Sequence, residues 1–320
     1  MPDAMTSLSE HQQTALQDDY KEYARVLRRG GDVPAHLEVA AKTRFREWKD
    51  AANCAHPCGQ VLYGECLAEG IHTRRDTDKA ANNFEEAAAE LVDAMWLIGE
   101  CYLDGAGVQR DRKTALAWYT KAVEMDHPPS EYSLGLMHYE GHAVKPNAME
   151  AAEWFLRSAN HGYIPAMYKL GKMLIAGDEI KRDYAFAIQC YTKAAEGGFA
   201  KAQFALGMWH RDPMLGTPND REAMRWLKES AHMGNADAMY QIGCMHWNGA
   251  GMAIDELTGA NWYVQAAKQG HPEAAYRVGI LFRDGTVVRR NLNEAYRWLE
   301  FASSKGHNDA RRALREIVVA

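Results

Sequence analysis

Glycines recur at a nearly constant interval through most of this 320-residue chain. The first glycine of each unit lies 35 or 36 residues from the next, at Gly64, Gly99, Gly135, Gly171, Gly207, Gly243 and Gly279. In six of these seven units a second glycine follows six residues later, and Pro213 takes that place in the fifth unit. A fixed period of this length indicates a repeat array, in which one supersecondary unit is copied and stacked.

Each unit is predicted to form two helices, A and B. In "AMYQIGCMHWNG" the small and apolar residues fall at helical spacing, which gives helix A one buried face. Gly249 then stands where a helix ends in a left-handed residue, and helix B follows through "GANWYVQAAKQG", ended by Gly270. Gly243 lacks bulk, so it lets the two helices approach closely. A phosphate-binding loop is excluded because neither a preceding strand nor GK[ST] is present.

This pattern resembles the Sel-one-like repeat (SLR) family, a relative of the tetratricopeptide repeats. The stretches "DAMWLIGECYLDGAGVQRDRKTALAWYTKAVEMD" and "PAMYKLGKMLIAGDEIKRDYAFAIQCYTKAAEGG" carry the resemblance, which covers about residues 59–310. The resemblance implies an all-α fold, a right-handed α/α superhelical solenoid of about seven helix-turn-helix repeats of 36 residues. It also implies binding of other proteins, without a cofactor.

Four segments are expected along the chain. Residues 1–35 match no repeat and are predicted to form a tail followed by a helix through "DDYKEYARVLRR". Residues 36–58 resemble half of a degenerate first repeat, and residues 59–309 hold the seven repeats. Residues 310–320 are predicted to form a helix that caps the exposed end of the array, as solenoids require.

The formal net charge of −6 argues against general nucleic-acid binding, which needs a basic surface. The charge is uneven, however. Between residues 276 and 315 the sequence contains nine Lys or Arg residues and four acidic residues, which gives a local charge of +5. Either these are solvated helix faces, or this end binds an acidic partner.

No signal peptide and no apolar run of membrane-spanning length is recognisable, so a cytoplasmic protein is expected. Export by a specialised secretion system stays open as an alternative. Free thiols are expected because the six cysteines have no recurring spacing. Cys54, Cys58 and Cys66 lack the CxxC arrangement typical of zinc sites, so no metal is predicted.

Partner-binding residues are predicted on one side of helix A. Positions −3, +1 and +4 relative to the first glycine lie one turn apart and, by analogy with tetratricopeptide grooves, face the concave side of the array. The −3 column is aromatic, which the family pattern also requires, whereas +1 and +4 vary between units and carry Met, Trp and Arg, types favoured in binding hot spots. The predicted site comprises Glu100, Tyr139, Tyr168, Lys172, Met208, Arg211, Tyr240, Trp247 and Arg283.

No catalytic function is predicted, since the chain has no G-x-S-x-G, H-E-x-x-H or Cys–His signature. His138, His210 and His246 share position +3, but stacked repeats are about 10 Å apart, too far to share one ion, so packing histidines are expected. Three functions remain: a scaffold or adaptor, which the resemblance favours; a dedicated inhibitor or immunity protein for one enzyme or toxin; and an exported bacterial effector that engages host proteins.

Overall fold

The computed structural model describes residues 8–177, 180–213 and 218–319, and within these ranges it contains helices and no strand. Residues 1–7, which belong to the predicted N-terminal tail, lie outside the described part of the chain. The helices are α1 (Glu10–Arg29), α2 (Val33–Asn53), α3 (Pro57–Glu69), α4 (Thr77–Ala87), α5 (Val92–Asp104), α6 (Arg112–Val123), α7 (Pro128–Glu140), α8 (Ala148–Asn160), α9 (Ile164–Ala176), α10 (Tyr184–Glu196), α11 (Ala200–Trp209), α12 (Asp220–His232), α13 (Ala236–Asn248), α14 (Glu256–Lys268), α15 (Pro272–Asp284), α16 (Leu292–Ser304) and α17 (Asn308–Val319).

The chain divides into two compact units, residues 1–183 and 184–320. Unit 1 contains α1 to α9, and unit 2 contains α10 to α17. From α3 to α16 the helices alternate as A and B helices, and within each unit a helix packs mainly against its neighbours in sequence. The prediction of an all-α array of seven helix-turn-helix repeats is confirmed.

The first glycine of a repeat is a packing notch on helix A. A Cβ at Gly243 would lie 2.7 Å from the Tyr263 ring, and one at Gly99 would lie 2.5 Å from the Tyr119 ring. Both partners lie twenty residues after the glycine, on helix B, and both are buried. The close approach predicted for the helices is therefore confirmed. The residue that fills the notch directly follows the recurrent Trp position, and it was not singled out from the sequence.

The second glycine ends helix A, as predicted. Gly249 has φ +69° and its N–H donates to the Met245 carbonyl. The same left-handed cap recurs at Gly70, Gly105, Gly141, Gly177 and Gly285. Beyond the cap, the Asp255 N–H donates to the His246 carbonyl at 2.9 Å, while the Asp255 side chain caps α14. This carbonyl contact fixes where helix B starts relative to helix A.

The array begins with two helices that precede the repeats. A capping box of Ser9 and Gln12 starts α1, and Gly30 ends it with φ +72°. Helix α1 packs against α2, α3 and α7, and buries Leu16, Tyr23 and Leu27.

At the other end α17 packs on α15 and α16, with Ala310 and Ala313 buried. Along the described residues, none of the helices is both long and apolar enough to cross a membrane.

Candidate interaction site

In unit 2 the predicted stripe forms a partly exposed face on the A helices. Tyr240, Cys244 and Trp247 follow one another at turn spacing along α13, and each is only partly buried. On α15 the corresponding residues are Tyr276, Ile280 and Arg283. We call the −3, +1 and +4 residues of the three A-helix segments of unit 2 the unit 2 stripe. Because α11 ends at Trp209, Arg211 at the +4 position of its unit lies in the turn after the helix and not on the predicted helix face.

Tyr240 is held in place from two sides. Its ring stacks on His271 with centroids 4.5 Å apart and planes 17° apart, and its hydroxyl accepts a hydrogen bond from Arg277 Nε at 3.1 Å. Burial and the nearby Cys244 raise the pKa of Tyr240 to about 12, although Arg277 opposes the shift. Tyr240 is therefore a neutral, preorganised aromatic surface beside a guanidinium group.

Trp247 and Arg211 also have contacts within unit 2. The Trp247 ring lies 6.0 Å from the Tyr263 ring, so part of the indole packs on the core. Arg211 Nη1 donates to Gln241 Oε1 at 3.0 Å, and Arg211 Nε lies 3.9 Å from Asp220 Oδ1. The Arg211 side chain is 23% exposed. Met208, on α11, is likewise partly exposed.

The basic C-terminal end is partly neutralised by its own acids. Arg283 Nε lies 2.7 Å from Asp284 Oδ1, and Arg283 Nη1 lies 3.1 Å from Glu316 Oε2. Further ion pairs join Arg277 to Glu273, Arg297 to Glu294 and Arg312 to Asp309. An acidic partner at this end stays a prediction, and it would compete with these contacts.

In unit 1 three predicted site residues lie on α7 and α9. Tyr139 is 41% exposed, and Lys169 Nζ lies 4.2 Å from the centre of its ring. Lys172 is exposed, and Tyr168 is partly exposed with a pKa raised by burial. The structure thus places these three side chains on the surface of unit 1.

Glu100, the fourth predicted site residue of unit 1, belongs to a hydrogen-bond network. Its Oε1 accepts from the Tyr119 hydroxyl at 2.6 Å and from Ser133 Oγ at 2.9 Å. Burial, together with the charge of Asp104, raises the pKa of Glu100. This carboxylate is therefore oriented by the fold and is not free on the surface.

Helix α1 is fastened to the repeats at Asp93, which is fully buried at the start of α5. Arg28 Nε and Nη2 each donate to Asp93 at 2.9 Å, His127 Nε2 lies 3.0 Å from Asp93 Oδ1, and Tyr20 donates to Oδ2. Burial alone would raise the pKa of Asp93, but the hydrogen bonds from His127 and Arg28 lower it to about 2. Nearby, the Tyr23 hydroxyl donates to Glu65 Oε1 at 2.7 Å.

The Asp93–His127 contact has counterparts in unit 2. His271 Nε2 lies 3.4 Å from Asp237, and His307 Nε2 lies 2.7 Å from Glu273. In each pair the acid precedes the first glycine by six residues and the histidine follows it by 28. Sequence reasoning missed this contact between neighbouring repeats, although its regular spacing was visible.

Other side chains that attract attention have structural contacts. His138, His210 and His246 are all partly buried, and His138 Nδ1 lies 3.3 Å from Glu150 Oε2. Asp126, Glu131 and His161 are close enough to share an ion. However, Arg157 lies 2.9 Å from Asp126 and 2.6 Å from Glu131, so a guanidinium already provides the positive charge there. Cys58, Cys66, Cys101 and Cys244 are free thiols, as predicted.

A family profile described as the Sel1 repeat matches residues 59–90, 92–127, 128–163, 164–199, 200–235, 236–271 and 272–307. Proteins with this repeat generally mediate protein–protein interactions, and the fold is typically a non-catalytic scaffold.

Two solved structures share the fold over nearly the whole chain. A Sel1 repeat protein from Oxalobacter formigenes is 24% identical with a TM-score of 0.69, covering 98% of this chain and 91% of that one. A protective antigen present in uropathogenic Escherichia coli strains is 23% identical with a TM-score of 0.67, covering 97% and 67%. Among curated proteins, Protein SHC1 of Saccharomyces cerevisiae is 28% identical over 92 residues. That alignment covers 28% of this chain and 18% of the yeast protein, so the chain spans under a fifth of the curated relative's length.

Proposed function

The chain belongs to the Sel1 repeat family, and from this we propose that it is an interaction scaffold or adaptor that binds a segment of another protein on the unit 2 stripe. The carrying observation is the row of aromatic and Met side chains that α11, α13 and α15 leave partly exposed, together with Arg211 in the turn after α11 and Arg283 on α15. Such side chains dominate the energetics of protein–protein interfaces.

The contacts around Tyr240 and Arg211 support this function. Stacking on His271 and the bond from Arg277 hold the Tyr240 ring before any partner arrives, which reduces the entropy lost on binding. Arg211 retains donors beyond the one that it gives to Gln241, and guanidinium groups recognise carboxylates and carbonyls in two-pronged geometry. A partner segment with acidic and apolar side chains would fit this face.

The test is affinity capture from the native organism's lysate with the wild type and with the double variant Arg211→Ala/Trp247→Ala. The captured protein is then purified and its affinity measured for both forms. We expect the double variant to bind at least about tenfold more weakly, since hot-spot truncations cost about 2 kcal/mol or more. Because Trp247 packs on Tyr263, far-UV circular dichroism and thermal melting are recorded first.

A matched control is Tyr296→Ala/Arg297→Ala, which likewise removes one aromatic side chain and one arginine, but from α16, where both are exposed. Equal binding by the wild type and by both double variants would refute the stripe as the binding face. The affinity also separates the alternatives. Several partners of about micromolar affinity fit a scaffold, whereas one very tight enzyme or toxin partner indicates a dedicated inhibitor. A host protein as the partner indicates an exported effector.

A further inference from the structure

Unit 1 contains a cavity of about 450 Å³. It lies between the turn that joins α1 to α2 and the A helices α3 and α5, with Glu65 and Glu100 among its lining residues. The turn is held close to the start of α9, since a Cβ at Gly30 would lie 2.2 Å from Pro165. Ligand pockets typically measure about 300–1,000 Å³, so the cavity has the size of a binding site for a small molecule or a long side chain.

Glu65 and Glu100 line the cavity, and in each carboxylate hydrogen bonds to a single oxygen fix the orientation of the group. Glu65 is 9% exposed, and Tyr23 donates to its Oε1. Glu100 Oε1 accepts from Tyr119 and Ser133. Within the described part of the chain, Oε2 of each glutamate has no hydrogen-bond donor. Each carboxylate therefore keeps one oxygen available while the other fixes its orientation.

The negative charge of the cavity is largely uncompensated. Glu69 and Asp104 also line it, one turn after Glu65 and Glu100, and like charges four residues apart destabilise a helix. Among the described lining residues Arg75 is the only basic one, against five acidic ones. Burial, reinforced by Glu69, raises the pKa of Glu65 to about 7. A positive charge entering the cavity would relieve this repulsion.

The remaining walls are aromatic and apolar. Trp96, Phe84 and Tyr163 line the cavity, and Trp96 Nε1 donates to Ser133 Oγ, which in turn donates to Glu100. Aromatic faces attract ammonium and guanidinium groups, while the apolar walls suit the methylene chain that carries them. We propose that this cavity binds an alkyl ammonium or alkyl guanidinium group, from either the Lys or Arg side chain of another protein or a free polyamine.

This binding does not rest on the proposed scaffold function. The cavity is lined by residues of unit 1, whereas the proposed partner face belongs to unit 2.

Isothermal titration calorimetry at low ionic strength tests the proposal on the full chain. The probes are spermidine, the blocked amino acids N-acetyl-lysine amide and N-acetyl-arginine amide, and the uncharged N-acetyl-norleucine amide. We expect at least one cationic probe to bind and the uncharged one not to. Binding of spermidine alone identifies a polyamine as the source of the cation, and binding of a blocked amino acid identifies a protein side chain.

The variant Glu65→Gln/Glu100→Gln should weaken cation binding at least about tenfold, because it removes both oriented charges and keeps the shape of the side chains. The matched control is Glu140→Gln, which removes an exposed glutamate five residues after its notch glycine, like Glu69 and Asp104, but outside the cavity. The control should bind as the wild type does. Thermal melting of each variant shows that it is folded.

Proton release provides a second readout. A bound cation favours the ionised form of Glu65, so binding near pH 7 should release protons from the wild type and not from Glu65→Gln. This release is measured by repeating the titration in buffers of different ionisation enthalpy. The proposal is overturned if no organic cation binds, or if the double glutamine variant binds as tightly as the control. It is also overturned if only CaCl2 or MgCl2 binds, which would make the cavity a metal site.

Discussion

At the scale of single residues, the notch glycines show how a missing side chain sets the distance between two helices. Gly243→Ala should destabilise the protein by about 1–3 kcal/mol, because the new methyl group would overlap the Tyr263 ring. The cost should fall in a Tyr263→Ala background, and a double-mutant cycle by urea unfolding measures this coupling.

Gly234→Ala is the matched control. Gly234 has φ +84° and open space where a Cβ would lie, so its substitution strains only the local backbone. Its cost should be the same with and without Tyr263. If both glycine substitutions showed the same coupling energy with Tyr263→Ala, close contact with the Tyr263 ring could not be the cause of the destabilisation by Gly243→Ala.

The raised pKa of Glu65 predicts that the free energy of unfolding decreases as the pH rises from about 4 to about 7. Its pKa is about 7 in the folded protein and about 4.3 in an unfolded chain, so the folded state binds more protons between these values. Protonation of Glu65 therefore stabilises the folded state fully below about pH 4, and this stabilisation is lost as the pH rises to about 7. Glu65→Gln should stabilise the protein at pH 8 by up to about 4 kcal/mol and change little at pH 4. Urea unfolding at both pH values measures the difference, and an equal gain at both would refute it.

At the scale of elements, Asp93 joins α1 to α5 and to the start of α7. Asp93→Ala should cost about 3–5 kcal/mol, because it leaves Arg28, Tyr20 and His127 without their buried acceptor. Urea unfolding gives the total cost. Hydrogen exchange should show that the α1 amides lose protection, since α1 loses its polar attachment.

Asp237→Ala is the control at the same position of a different repeat. Asp237 is 66% exposed and lies 3.4 Å from His271, so its loss should change stability by no more than about 0.5 kcal/mol. Similar costs for the two substitutions would mean that repeat position, and not the attachment of α1, determines the effect.

At the scale of the whole molecule, the two proposed sites belong to different units, so a substitution in one site should leave binding at the other unchanged. Arg211→Ala/Trp247→Ala should bind the cationic probes as the wild type does, since none of the cavity residues is changed. Glu65→Gln/Glu100→Gln should retain its affinity for a partner of the unit 2 stripe. Both ligands are titrated into both variants, and loss of both activities in either variant would contradict two independent sites.

The helix pairs were predictable because their determinants are local and repeated. Gly243, Gly249 and Gly270 mark a notch and two helix ends within one unit. The first of these glycines recurs in seven units, the second in six and the third in five, which separates the signal from chance. Stacking then follows, since each helix needs a neighbour to cover its apolar face. The partner-binding stripe stays a prediction. Helical geometry gives its −3, +1 and +4 positions on α13 and α15, but not Arg211, since α11 ends at Trp209.

The attachment of α1 and the acidic cavity were not predictable in this way. Arg28 lies 65 residues from Asp93 in sequence, and Tyr23 lies 42 residues from Glu65. Each of these contacts occurs once, between a non-repeating helix and the repeats, so no periodic pattern in the sequence predicts them. Periodicity encodes contacts between neighbouring units. A single contact between distant segments depends on how the packed units bring them together, and only the tertiary structure shows it.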